Sequence, residues 1–202
     1  MSTSTRPGGR TADVRAAVLR AAGDLLVESG LAGVELTAVA LRAGVGKSTV
    51  YRRWGTVPGL VADLLVDMAE TSSPRARTGT LRGDLLANAR LIRRTLADPR
   101  QGRLFQAIIA AAACDPVTAV ALAGFYEARL AELAPVVTDG IARGEAPERT
   151  DAAEVIRYVS APLYYQFLTT TAPLTAKDAE RAVDAALAAV AAGVFVGHRR
   201  GR

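Results

Sequence analysis

A chain of 202 residues with one cysteine and one histidine has few of the side chains that carry redox, metal or acid–base chemistry. Cys114 has no second cysteine for an intramolecular disulfide, and with His198 it falls far short of a zinc-binding set. Cys114 ends an alanine-rich stretch and reads as a small apolar residue; His198 lies in the basic tail 198–202 and reads as solvated. General-base and triad mechanisms lose their usual participant, so no catalytic residue, metal or cofactor is expected. No run approaches the roughly 18 uninterrupted apolar residues that span a bilayer, and residues 1–9 lack the apolar core of a signal peptide. A cytoplasmic protein without a membrane partner is the expectation.

Half of the residues are nevertheless hydrophobic, and with aromatics at only 5% that content is mostly Ala, Leu and Val in long segments, a helix-forming vocabulary. The net charge of +5 is unevenly placed. Residues 1–56 hold eight Lys/Arg against four Asp/Glu, whereas residues 57–202 hold seventeen against sixteen. Positive charge attracts phosphate and supplies most sequence-independent affinity for nucleic acid, so the N-terminal segment is the candidate binding face.

Residues 1–10, rich in Gly, Ser, Thr and Pro, read as a flexible basic arm carrying Arg6 and Arg10. Thr11 or Asp13 then caps a helix whose apolar positions Val14, Val18, Ala21, Leu25 and Leu26 recur at three- and four-residue steps until Ser29-Gly30. Thr37 caps or opens a short second helix with Val39, Ala40 and Ala43, and Gly44 falls where a terminal glycine leaves the right-handed region. A third short helix runs from about Lys47 to Trp54. Two short helices meeting at a glycine cross tightly only over small or compact residues, which Ala40, Val45 and Val50 are. The spacing is that of a helix-turn-helix with Ala40, Gly44, Val50 and Trp54 as its core, and residues 11–56 are the expected DNA-binding domain.

Six more helices are expected, at about 57–71, 81–97, 101–113, 116–143, 151–171 and 175–197, which makes the fold all-α with nine helices. Ser72-Ser73-Pro74 and Thr78-Gly79 form the longest polar linker, Asp98-Pro99 and Asp115-Pro116 each put a capping carboxylate before a first-turn proline, and residues 144–147 form another break. Pro135 and Pro162 lie inside helical runs and should kink or divide them.

Gly46-Lys47-Ser48 superficially matches the end of a phosphate-binding loop. That loop needs a glycine at position 41, where the chain has Leu41, and a preceding buried strand, where it has a loop and a short helix. On the third helix Val50 and Trp54 are four apart and plug the module's core. Lys47, Ser48, Thr49, Tyr51 and Arg52 then remain to offer hydrogen-bond donors to base edges and phosphates of a major groove, with Arg53 either joining them or solvated.

At this point the chain resembles the TetR family of transcriptional regulators. The resemblance rests on the segment from Leu36 to Trp54, on the preceding Leu25-Leu26-Val27-Glu28-Ser29-Gly30, and downstream on Arg143-Gly144-Glu145, Ala161-Pro162-Leu163-Tyr164-Tyr165 and Ala172-Pro173-Leu174-Thr175. It implies nine helices, a reader made of helices 2 and 3, and dimerisation through the last two helices as a four-helix bundle. It also implies operator contacts at Thr37, Lys47, Ser48, Thr49, Tyr51 and Arg52. The family's Tyr-x-x-Phe-x-x-Lys stretch is altered: Trp54 replaces Phe and Val57-Pro58 occupies the region of the lysine. Arg53 or the arm is left to supply a phosphate contact there.

In the body, residues 57–197, Ala182, Val183, Ala186, Leu187, Val190 and Val194 form a small-residue stripe suited to close approach across a two-fold axis. A symmetric homodimer would present two recognition helices to successive major grooves about 34–36 Å apart, hence a roughly palindromic double-stranded operator. Phe105, Ile109, Phe125, Arg129, Tyr158 and Tyr165 are candidates for a pocket taking a partly apolar small-molecule effector, against the plainer reading that they form core and interface. A repressor released by that effector is the leading expectation. A helical-bundle enzyme acting on nucleotides or small metabolites would need gathered acid, base or metal groups, whereas Asp84, Glu127 and Glu154 are scattered. A DNA-coating architectural protein fits the short helix-turn-helix less well than a sequence reader.

Overall fold

The computed structural model describes residues 7–197, with side chains from Thr11 onward. Arg6, the side chain of Arg10 and the tail 198–202 with His198 lie outside the described residues. Among those described, the chain forms nine α-helices, one 3-10 turn and no strand, with a single antiparallel bridge between Thr150 and Val196. The helices are α1 (Pro7–Ser29), α2 (Leu36–Ala43), α3 (Lys47–Trp54), α4 (Val57–Glu70), α5 (Leu81–Ala97), α6 (Pro99–Cys114), α7 (Pro116–Ala142), α8 (Ala152–Thr169) and α9 (Ala176–Ala191).

Polar breaks and caps set most boundaries. Thr56, Thr80, Asp151 and Thr175 each accept the backbone N–H three residues on, and at Thr175 the bond is returned by Asp178 in a full capping box. Asp98 accepts from the N–H groups of Arg100 and Gln101, and Asp115 from that of Thr118, as the Asp-Pro pairs predict. The α5 start has a second cap that no local pattern announces: Glu145, 64 residues away, accepts from the Leu81 N–H at 2.6 Å while its other oxygen is held by Arg143.

Two compact units divide the chain, with α6 and α7 shared between them. In the first, residues up to Thr71 together with Arg103–Phe125, α1 packs on α2 and α4, and α3 on α2 and α4. The buried positions Val18, Leu19, Ala22, Leu26, Val39, Ala40, Val50, Leu60, Val61 and Leu65 follow the three- and four-residue steps of their helices. In the second unit, Ser72–Gly102 with Tyr126 onward, α5, α8 and α9 pack mutually around Leu85, Ala89, Val155, Val159, Leu163, Ala179, Val183 and Ala186. Arg82–Asp184 and Arg90–Glu180 ion pairs, at 2.8 and 3.3 Å, join α5 to α9 along the exposed side.

Four expectations change. The first helix begins at Pro7 rather than Thr11, so residues 7–10 of the expected arm are helical; a first-turn proline has its φ already set and no N–H to leave unpaired. Thr37 does not cap α2. Glu35 occupies the cap position, Leu36 is drawn into the core at 5% exposure, and the Thr37 hydroxyl donates to Glu35 at 3.1 Å from inside the first turn. Of the two outcomes expected at Pro135 and Pro162, a kink or a division, the division does not occur: α7 and α8 each run on through their proline. Finally, α9 ends at Ala191: Gly193, at φ 74°, turns the chain so that Phe195 O accepts from Asp151 N and Gly197 N donates to Arg149 O. Val194 therefore leaves the stripe and stands 65% exposed, while Ala182, Val183, Ala186 and Val190 are buried within their own chain, in a helix that packs on α5 and α8, rather than held open for a partner.

Candidate DNA-reading site

The reading module is set by where α2 stops. Gly44 adopts φ 66°, a left-handed conformation costly for any residue with a Cβ, and the Val45 N–H then bonds back to Ala40 O at 3.0 Å. The chain turns through residues 44–46, and α3, beginning at Lys47, packs on α2, whose Val39 and Ala40 are buried.

Along α3 the four-residue spacing of Val50 and Trp54 puts both inside, at 0% and 9% exposure. Burial of Val50 contributes about 1.5–3 kcal/mol and commits the orientation of the other faces. Lys47, Ser48, Tyr51, Arg52 and Arg53 are exposed, Thr49 partly so, and no acidic side chain lies on the helix. Thr37, half-buried, is tied to Glu35. Of the basic residues nearby, Arg42 is neutralised by Glu28 at 2.7 Å, and the Arg53 guanidinium lies over the Trp54 ring, 5.1 Å from its centroid.

Sequence reasoning took Trp54 as a core plug and missed its polar end. The indole Nε1 donates to Asp63 Oδ2 at 2.8 Å, and the Arg15 guanidinium grips the same carboxylate, at 2.7 Å from Nη2 to Oδ1, while reaching Asp67 at 2.6 Å. Partial burial of Asp63 works to raise its pKa, but the hydrogen bonds from Arg15 and Trp54 outweigh it and hold the carboxyl below its usual range. The partners lie 48 and 9 residues from Asp63, beyond any local motif. Leu41, 83% exposed on α2, also went unread.

The six effector-pocket candidates do not converge on one described cavity. Phe105 and Phe125 are buried in the first unit with ring centroids 5.8 Å apart, and Ile109 is half-buried there. Arg129, Tyr158 and Tyr165 belong to the second unit. Arg129 is half-buried near Tyr164, which meets Tyr126 edge to face at 5.7 Å and shares a hydrogen bond with it. Burial pushes both tyrosine hydroxyls up in pKa and pushes the Arg129 guanidinium down. Tyr158 instead lines a cleft of about 380 Å³ between α8 and α9 with Pro162, Gln166, Asp178 and Arg181, and Tyr165 is 71% exposed. Among the described residues no cluster of His, Cys, Asp or Glu could hold a metal ion, and no helix is long and apolar enough to cross a membrane.

Comparison with known proteins agrees with this geometry. Residues 18–64 match the family "Bacterial regulatory proteins, tetR family", and residues 75–186 match "Tetracyclin repressor-like, C-terminal domain". The chain is 29% identical over 168 residues to the HTH-type transcriptional regulator YdeS of Bacillus subtilis (strain 168), covering 83% of this chain and 84% of that one. It is 30% identical over 159 residues to the HTH-type transcriptional regulator AqdR of Rhodococcus erythropolis, covering 76% of each. The crystal structure of the TetR family transcription regulator SCO0332 superposes with a TM-score of 0.69 at 28% identity, over 88% of this chain and 98% of the other. With a helix-turn-helix at its N-terminal end and a helical body that both match, the chain belongs to the TetR family of DNA-binding transcriptional regulators.

Proposed function

We propose that this regulator reads a roughly palindromic double-stranded operator as a homodimer and is a cytoplasmic repressor released by a small-molecule effector. The observation that carries the reading is the division of α3: Val50 and Trp54 are spent on the core, leaving Lys47, Ser48, Thr49, Tyr51 and Arg52 free for one groove, with Thr37 and Arg53 flanking. Residues 11–56 serve as the DNA-binding domain and 57–197 as the effector-binding and dimerisation domain.

The dimer face is the outer side of α8 and α9. Tyr158, Ala161, Pro162, Tyr165 and Leu168 are exposed on α8 beside exposed Ala185 on α9, an apolar surface that a single chain leaves in water. Tyr158 and Tyr165 are therefore assigned to the partner and not to the effector. Effector recognition falls to Arg129 with Tyr126 and Tyr164, which offer a cation and hydroxyls in partly desolvated surroundings suited to a partly apolar ligand with a hydrogen-bonding or acidic group. A ligand preferring a body conformation that displaces the recognition helices by about 1–3 kcal/mol loosens the operator from several-fold to over a hundredfold.

Fluorescence anisotropy of the purified protein on DNA from its own promoter region, with a salt series and scrambled competitor, tests this. Salt-dependent binding that survives competitor, and that drops on Tyr51→Ala or Arg52→Ala, is expected. Absence of any preference there and in a random-sequence selection sinks the reading.

A further inference from the structure

We propose that Asp63 is the positioning residue of the recognition helix, a single carboxylate through which α1 and α4 fix the rotation of α3 by holding the Trp54 indole N–H. This deepens the DNA-reading assignment and rests on it.

The need for such a residue follows from the size of α3. A helix of eight residues with only Val50 and Trp54 buried has little area to define how it is turned about its own axis. An aromatic ring in an apolar slot tolerates sliding, whereas a hydrogen bond from its edge does not. Trp54 is the last residue of α3, so its indole is the far end of the lever whose near end is Lys47.

Asp63 is itself clamped. Arg15 Nε lies 3.1 and 3.2 Å from the two carboxylate oxygens, Nη2 lies 2.7 Å from Oδ1 and 3.3 Å from the Asp63 carbonyl oxygen, and Nη1 is anchored on Asp67 at 2.6 Å. A planar guanidinium fork of this kind leaves the carboxylate one orientation. The backbone of the same junction is equally close: a Cβ on Gly59 would lie 2.7 Å from the Trp54 carbonyl oxygen. The first turn of α4 thus bears on the end of α3, and a shift of α4 carries Asp63, Trp54 and the reading face together. Arg15 ties the same point to α1.

The test compares the full-length protein with Trp54→Phe, which keeps a buried ring and removes the N–H, with Asp63→Asn, which breaks the charged fork, and with the double variant. Each is bound, at a temperature where circular dichroism shows it fully folded, to a duplex that the wild-type protein selects from a random pool and to its scrambled counterpart. Each single variant should lose about tenfold in the ratio of selected to scrambled affinity. The double variant should lose no more than the worse single, since one removes the donor of the Asp63–Trp54 bond and the other unclamps its acceptor, so both act through that bond. Scrambled-duplex affinity and its salt slope should stay at wild-type values, because Lys47, Arg52 and Arg53 remain. Arg15→Lys gives the same reading should Asp63→Asn not fold. An unchanged ratio, equal losses on both duplexes, or a wild-type Trp54 indole N–H that exchanges freely with solvent overturns the proposal alone. A wild-type protein that prefers no sequence overturns the DNA-reading assignment and this proposal with it.

Discussion

In α2 and α3 the apolar residues Leu36, Val39, Ala40, Val50 and Trp54 are buried, and apart from Leu41 and Tyr51 what is exposed is polar or basic. In α8 and α9 the same kind of residue is divided. Val155, Val159, Leu163, Ala179, Ala182 and Ala186 are buried, and a second apolar set, Tyr158, Ala161, Pro162, Tyr165, Leu168 and Ala185, is left outside. Both pairs are short-range helical packings, but one leaves a polar and basic surface outside, and the other leaves an apolar surface that a single chain exposes to water. The difference shows what a helix pair is for more clearly than the composition of either.

The comparison breaks most severely if the buried side of the reader is charged. Val50→Asp places an unpaired carboxylate where exposure is 0%, and a loss of about 3–5 kcal/mol is expected, read as a lowered first transition in thermal denaturation. The same kind of insult on the outer side of α8 and α9 should act differently. Ala161→Arg with Ala185→Arg is expected to weaken self-association by about 100-fold or more in sedimentation equilibrium, since like charges meet across a two-fold axis. Its effect on the stability of the single chain should be within about 0.5 kcal/mol. Loss of folding in that variant, or unaltered association, would contradict the assignment of the two faces.

A smaller effect sharpens the contrast between local and remote caps. Glu145→Ala frees the Leu81 N–H and should cost about 1 kcal/mol, a fall of about 2–4 °C in Tm, comparable to removing the local cap at Thr175. The smallest expected effect is in acid. The Glu145 carboxyl is held low first by its hydrogen bond from Arg143, the Asp178 carboxyl by those with Thr175, and the Asp63 carboxyl by Arg15 and Trp54 against its own burial. Because these folded values lie below the unfolded ones, the stability they add is complete above about pH 5, begins to decline near the ordinary values of 4.5 and 3.8, and is lost as pH falls on through the lowered folded values. Unfolding followed by denaturant at stepped pH should show that decline, and Glu145→Ala should flatten part of it.

Much of this is legible along the chain. The Asp-Pro pairs at 98 and 115 and the glycine at 44 act on the backbone within three or four residues, so their effect can be read along the chain. The split of α3 into a buried and an exposed side follows from helical spacing alone. Thr37 misled because hydrogen-bonding propensity at a helix start was overridden by burial of Leu36, a packing effect from another helix. The spread of the six effector candidates over two units was not legible, because an aromatic at helical spacing looks the same whether it faces a core, a partner or a ligand.

The amino-acid sequence by itself determined the nine helices, the turn at Gly44 and which residues of α3 face outward, since each depends on interactions spanning one helical turn or one cap. The tertiary structure alone decided that Asp63 holds Trp54 while Arg15 holds Asp63, that Glu145 caps a helix 64 residues away, and that the alanine stripe of α9 is consumed within its own chain. Those choices belong to contacts between segments far apart in sequence, where many pairings satisfy the same local pattern and only the packed geometry selects among them.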